Sequence, residues 1–273
     1  MRPSPMAAVC AALLALALPV SAAADEPTPR QDAAGESDWR FTVGAGALYA
    51  PDYTGSDEYE PTPFPFVRIE NGPLYVRTDG PGVKANVMPH GLFEFGPVIR
   101  YGGGRSDVED DVVDRLPEID DALLLGLFAG YTHKGVFGNR DSLGVEIEAT
   151  WATSDDNGAT VTLGTTYGVR ATRSLSLSIG PSVTYASSDY ADTYFSVDAA
   201  GSAASGLSQF SAESGLRDVA LTVSARYTIT PQIALGGFAG VSRLMGDFAD
   251  SPIVDERGSA TQASGGLFLT YTF

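Results

Sequence analysis

From residue 38 onward, apolar and polar positions alternate along this chain with a period of two. In ATVTLGTTYGVRAT (159–172), Ala159, Val161, Leu163, Tyr167 and Val169 share one face, and Thr160, Thr162, Gly164, Thr166 and Arg170 share the other. The next segment, SLSLSIGPSVTYA (174–186), sets Leu175, Leu177, Ile179, Val183 and Tyr185 against Ser174, Ser176, Ser178, Gly180, Ser182 and Thr184. Further on, Val219, Leu221, Val223, Ala225 and Tyr227 oppose Thr222, Ser224, Arg226 and Thr228. Such runs are about twice the five or six residues typical of strands in soluble sandwiches. Long strands with one apolar face and one small, polar face suit an antiparallel up-and-down barrel that crosses a bilayer, apolar outward and wet inward.

The connections sort into two alternating classes. Long or charged ones are PDYTGSDEYEPTP (51–63), TDGPG (78–82), RSDVEDDVVDRLPEIDD (105–121), DDNG (155–158), the stretch 188–214 and DFADSPIVDERG (247–258). Short ones are ENGP, MPHG, KGVFGNR, TRS and TPQ. Short periplasmic turns and long outer loops are expected of outer-membrane barrels, so the pattern predicts about twelve strands with both ends on the periplasmic side. The hairpin from Pro73 to Met88 is interrupted by Gly and Pro, and without it about ten strands remain. The chain closes on GGLFLTYTF, where Leu267, Leu269, Tyr271 and Phe273 share a face to the last residue. A strand pinned to its final residue needs neighbours on both sides, which a closed barrel supplies.

The first residues belong to a different pattern. Met1-Arg2, the apolar run MAAVCAALLALAL and SAAA before Asp25 have the layout of an export signal, with cleavage expected between Ala24 and Asp25. Residues 25–37, DEPTPRQDAAGES, read as a disordered lead-in, which leaves 38–273 for the barrel. The single cysteine, Cys10, lies in the leader, so the exported chain has no disulfide, thiolate nucleophile or cysteine metal site. Asp and Glu outnumber Lys and Arg by 34 to 17, a balance that argues against nucleic acid as a partner. After the leader there is no long apolar run, a test that transmembrane strands escape because they alternate.

Two stretches carry a resemblance. GAGALYAPDYTGSDEYEPTPFPFVRIENGPLYV (44–76) and DTYFSVDAAGSAASGLSQFSAESGLRD (192–218) resemble the MipA/OmpV family of outer-membrane proteins, with support from DSPIV (250–254) and the close from Gln262 to Phe273. Ser196 stands where the family pattern has Gly. The resemblance implies a barrel in the outer membrane of a Gram-negative bacterium. It also implies a scaffold role, bridging a periplasmic lytic transglycosylase and a murein synthase. It brings no catalytic residues. The alternating terminal segment resembles the signal read by the barrel assembly machinery; that machinery and outer-membrane lipid are the other partners expected.

Candidate chemistry is sparse. Alternation turns Glu94, Arg100, Glu146, Glu148, Arg170 and Arg226 inward, where a basic residue avoids the roughly 2–4 kcal/mol cost of facing lipid near the midplane. Such charges could set selectivity in a narrow pore for small solutes, or pair simply to fill the lumen. The acidic stretch 106–121 offers hard oxygen ligands but lacks the spacing of a calcium loop, so it reads first as a solvated surface loop. Neither histidine, His90 or His133, falls near a predicted outer-leaflet Ser or acidic cluster, and no cofactor, metal site or enzyme is expected. Trp39, Tyr49, Tyr75, Tyr131, Trp151, Tyr185, Tyr227 and Tyr271, near strand ends, are expected in two interfacial girdles.

Overall fold

The computed structural model describes residues 39–89, 91–153 and 157–273. The expected leader, its cleavage point at Ala24 and Asp25, the lead-in and His90 lie outside the described residues. Twelve antiparallel strands close into one barrel, each paired with its sequence neighbours and β1 with β12. They are β1 (Trp39–Pro51), β2 (Tyr59–Asn71), β3 (Leu74–Thr78), β4 (Gly82–Asn86), β5 (Phe93–Gly102) and β6 (Ala122–Lys134). The second half is β7 (Asp141–Ala152), β8 (Ala159–Arg170), β9 (Leu175–Ala186), β10 (Gly215–Thr228), β11 (Ile233–Leu244) and β12 (Thr261–Thr272). The closing seam pairs Thr42 with Thr272 and Tyr49 with Gly265, and Phe273 donates its N–H to the Phe41 carbonyl at 2.9 Å. The terminal strand is therefore held on both sides, as its pattern required.

The outward face is the apolar one. Val161, Leu163, Ile179, Val183, Leu221, Val223, Leu267 and Leu269 are exposed on the wall, the side presented to lipid. Trp39, Tyr49, Tyr131, Trp151, Tyr185, Tyr227 and Tyr271 are exposed as well. Tyr75 is a correction: it is only 7% exposed and points inward, because the β3 register puts Leu74 and Val76 on the lipid side.

The doubtful hairpin is present but stunted, for β3 and β4 have five residues each where the other strands have 10 to 14. β2 begins earlier than the sequence suggests, taking in Pro61 and Pro63. These prolines are tolerated because β2 meets β1 through all thirteen residues but β3 only through Arg68–Asn71. The odd positions of β2 turn their backbone toward β3, as Val67 N–H shows by bonding Thr78 Oγ1, so Pro61, Pro63 and Pro65 cost no ladder donor to β1.

The long connections fold into a cap over one end. The β9–β10 connection carries α1 (Ser188–Phe195) and α2 (Ala199–Ser205), the β11–β12 connection α3 (Asp247–Asp250) and α4 (Pro252–Asp255). Ser187 and Asp198 cap the first two helices by accepting from Tyr190 N–H and Gly201 N–H. Two apolar clusters hold the cap together. Phe195, Ala191, Phe248, Leu244 and Val254 form one; Tyr53, Val113, Leu116, Val197, Leu207 and Ile253 form the other. Ser251 Oγ, fully buried, donates to the Phe195 carbonyl at 2.6 Å and ties α4 to α1. The acidic stretch is thus more than a solvated loop: its charges other than Asp110 face out while Val113, Leu116 and Ile119 are buried. Short turns mark the opposite, periplasmic side, so the cap faces outward.

Candidate functional site

Inside the barrel the small inward residues leave room, and that room is unequally filled. On the β1–β2–β12 side Phe66 and Phe268 stack at 5.5 Å between centroids with planes 7° apart. Phe268 fits there because Gly46, its register partner, carries no side chain; a Cβ at Gly46 would lie 2.0 Å from the Leu267 carbonyl oxygen. The opposite side is ionic. Lys84, 2% exposed, reaches Glu146 at 2.6 Å, Glu148 at 3.0 Å and Asp79 at 3.5 Å, with the Phe128 ring 4.6 Å away. Arg100 joins Glu148 and Asp79, each through Nη2 at 2.8 Å, and donates Nη1 to the Asp79 carbonyl at 2.8 Å. Tyr75 donates its hydroxyl to Glu94 at 3.2 Å, between the guanidinium groups of Arg68 and Arg77.

The six charged residues that alternation turns inward line two separate cavities. Glu94, Arg100, Glu146 and Glu148 line a cavity of about 960 Å³ under the cap, together with Asp79 and Lys84. Arg170 and Arg226 line a second of about 470 Å³ at the periplasmic mouth, with Lys134, Arg140 and Asp141. Asp79 and Lys84 escaped the sequence reading because they sit on the interrupted hairpin, where alternation is only five residues long. Leu267, Leu269, Tyr271 and Phe273 are all exposed on the outer wall.

The ceiling of the larger cavity holds a group with no sequence signal. Arg105, at the end of YGGGR, is 6% exposed; its Nη1 donates to the Tyr194 carbonyl at 3.1 Å and its Nε has no partner. It forms no ion pair among the described residues, and burial lowers its pKa. Tyr53, beside it in the cavity lining, also has a buried hydroxyl. Elsewhere in the cap charge is matched: Arg257 binds Asp110 at 2.6 Å. Burial opposes ionisation of Asp110, but Arg257 and the N–H groups of Val113 and Val112 outweigh it and hold the carboxyl below its usual value.

The arrangement offers ion pairs, polar cavities and a buried cation. No group of three or more His, Asp or Glu among the described residues is placed to hold a metal ion. His133 sits at the periplasmic end of β6, 3.5 Å from the Tyr131 hydroxyl.

Comparison with known proteins gives one family. A family model described as MltA-interacting protein MipA matches residues 43–273. YiaT of Escherichia coli (strain K12), whose name places it in the outer membrane, is 27% identical over 238 residues, spanning 82% of this chain and 89% of that one. The COG4313 outer membrane channel from Pseudomonas putida F1 is similar at 13% identity and a TM-score of 0.46, covering 91% of this chain and 100% of that one. OprB of Pseudomonas putida gives 10% identity and a TM-score of 0.43, covering 86% and 94%.

Proposed function

The chain belongs to the MltA-interacting protein MipA family, and from that premise we propose that this outer-membrane barrel is a docking scaffold for a murein-degrading enzyme, coupling it to a murein synthase. The observation that carries the reading is the shape of the two ends. The outer end is covered by a cap with its own apolar clusters, while the periplasmic mouth is a shallow cavity edged by Lys134, Arg140, Arg170 and Arg226. None of these four cations forms an ion pair among the described residues, so in an acidic protein they make a local basic rim open to the periplasm. Such a rim recognises an acidic surface, and its short turns offer a small contact, which suits weak association strengthened by the shared membrane.

The test is binding of a purified lytic transglycosylase and of a murein synthase to the refolded barrel in non-ionic detergent. We expect association that weakens as salt is raised and falls several-fold in the Arg140→Gln, Arg170→Gln, Arg226→Gln triple variant. Absence of binding, or binding indifferent to both salt and the variant, removes this reading. The 960 Å³ cavity favours a second one, passage of small solutes. Under it, pure protein in a planar bilayer gives conductance steps whose cation preference falls in Glu146→Gln, Glu148→Gln; a silent bilayer removes it.

A further inference from the structure

Five cations line the larger cavity, and among the described residues four of them have a carboxylate partner. Arg77, Lys84 and Arg100 share Asp79, Glu146 and Glu148, and Arg217 binds Asp218 at 2.6 Å. Arg105 is the fifth, and its place is well fixed. Its backbone exchanges hydrogen bonds with Ile119 at 2.8 and 3.0 Å, and its Nη1 donates to the Tyr194 carbonyl in the last turn of α1 at 3.1 Å. That bond positions the guanidinium without neutralising it. A guanidinium keeps its proton, and one that is only 6% exposed is costly unless an anion completes it.

The rest of the lining says what kind of anion fits. Thr150 pairs with Thr160 at 3.0 Å and Thr162 with Thr184 at 3.1 Å, and each pair keeps free lone pairs for a further donor. Thr150, Thr160 and Thr162 all line the cavity, so its wall on β7 and β8 suits a body that carries hydroxyls. Glu146 and Glu148 lie on β7 toward the periplasmic end from Thr150, where they repel a second negative charge. A volume of about 960 Å³ is that of a site for a small organic molecule and far exceeds what a simple ion fills. We propose that this cavity binds a small hydroxylated monocarboxylate, with its carboxylate on Arg105 and its hydroxyls on the threonines of β7 and β8. Ser178 lines both this cavity and the one at the periplasmic mouth, which puts the mouth on the approach to the seat. Such a seat requires neither a murein enzyme nor passage through the barrel, so it stands apart from both readings above.

The experiment is equilibrium dialysis of the refolded barrel, in non-ionic detergent, against radiolabelled glucuronate. Saturable binding of one glucuronate per barrel, displaced by unlabelled glucuronate but not by the same concentration of glucose, is the expected result. Absence of saturable binding in the millimolar range overturns the proposal. Displacement by acetate as effective as by glucuronate overturns the hydroxylated class, leaving a site for any small anion. Glucuronamide, which keeps the hydroxyls but not the charge, should compete about tenfold more weakly or worse, and equal competition overturns the part given to the cation. Arg105→Met, checked for folding by heat-modifiable mobility, should weaken glucuronate binding by about tenfold or more; undiminished affinity in the folded variant overturns the seat assigned to the carboxylate.

Discussion

Lys84 is the group on which the luminal network can be tested most directly. Its ammonium is 2% exposed and lies 2.6, 3.0 and 3.5 Å from Glu146, Glu148 and Asp79, whose side chains are 35%, 11% and 28% exposed. Lys84→Met keeps the length of the stem against Phe128 but removes the charge, leaving three carboxylates to Arg100 and Arg77. Breaking a fully buried pair costs about 3–5 kcal/mol. Here luminal water reaches two of the carboxylates, so about 2–3 kcal/mol is expected. Glu146→Gln alone should cost less than about 1 kcal/mol, because Lys84 keeps two partners and Glu146 is the most solvated member. In the double variant one carboxylate fewer is left uncompensated, so the cost should fall short of the sum by about 1 kcal/mol. Urea unfolding in lipid vesicles, followed by fluorescence of Trp39 and Trp151 on the outer wall, supplies these values. A Lys84→Met barrel within about 0.5 kcal/mol of the parent, or strict additivity, would refute the claim that this lysine is what neutralises the cluster.

Two further perturbations test the wall and the cap. Gly46→Val puts side-chain atoms into the Leu267–Phe268 backbone and should abolish the heat-modifiable folded band, whereas Ala45→Val, on the lipid face of the same strand, should leave it unchanged. The Asp110 carboxyl has a lowered folded pKa, so its contribution to the cap is present above the unfolded value of about 3.9 and is lost as pH falls through the folded one. Pepsin cleavage within 103–121, measured relative to an unfolded reference peptide at each pH, should therefore accelerate as pH drops below about 4, and in Asp110→Asn that acceleration should be smaller; a parent-like relative profile in the variant would contradict the assignment.

What could be read in advance follows from the length of each pattern. Over β7–β10 the alternation lasts a dozen residues, and Glu146, Glu148, Arg170 and Arg226, which it turns inward, line the two cavities. Over β3 and β4 it lasts five, and there Tyr75 was assigned to a girdle although it belongs to the lumen. The helices α1 and α2 were missed because they are eight and seven residues long, rich in Ala, Ser and Gly. Their caps were nonetheless written in the chain as Ser187, Asp198 and the left-handed Gly206. The connection expected at 51–63 includes Pro61 and Pro63, and only the stunted neighbour explains why a strand accepts them.

The stretches that carry the family resemblance point to the same conclusion from another side. Tyr53 comes from the first of them, Val197 and Leu207 from the second, Ile253 from DSPIV, and the fold brings all four into one buried cluster with Val113 and Leu116. A second contact, Ser251 to the Phe195 carbonyl, joins the last two stretches again. A lipid-facing wall position tolerates most residues that keep the alternation. A loop that must bury Tyr53 against Ile253 does not have that freedom, because cap packing is specific to shape and volume. The cap residues of these stretches therefore report a folded roof, while Arg140, Arg170 and Arg226 of the periplasmic mouth lie outside them. It follows that swapping the cap stretches between relatives should alter access to the luminal cavity without altering periplasmic binding. Swapping the turns around Arg140 and Arg170 should do the reverse, so the two activities proposed for this barrel are separable by exchange of loops.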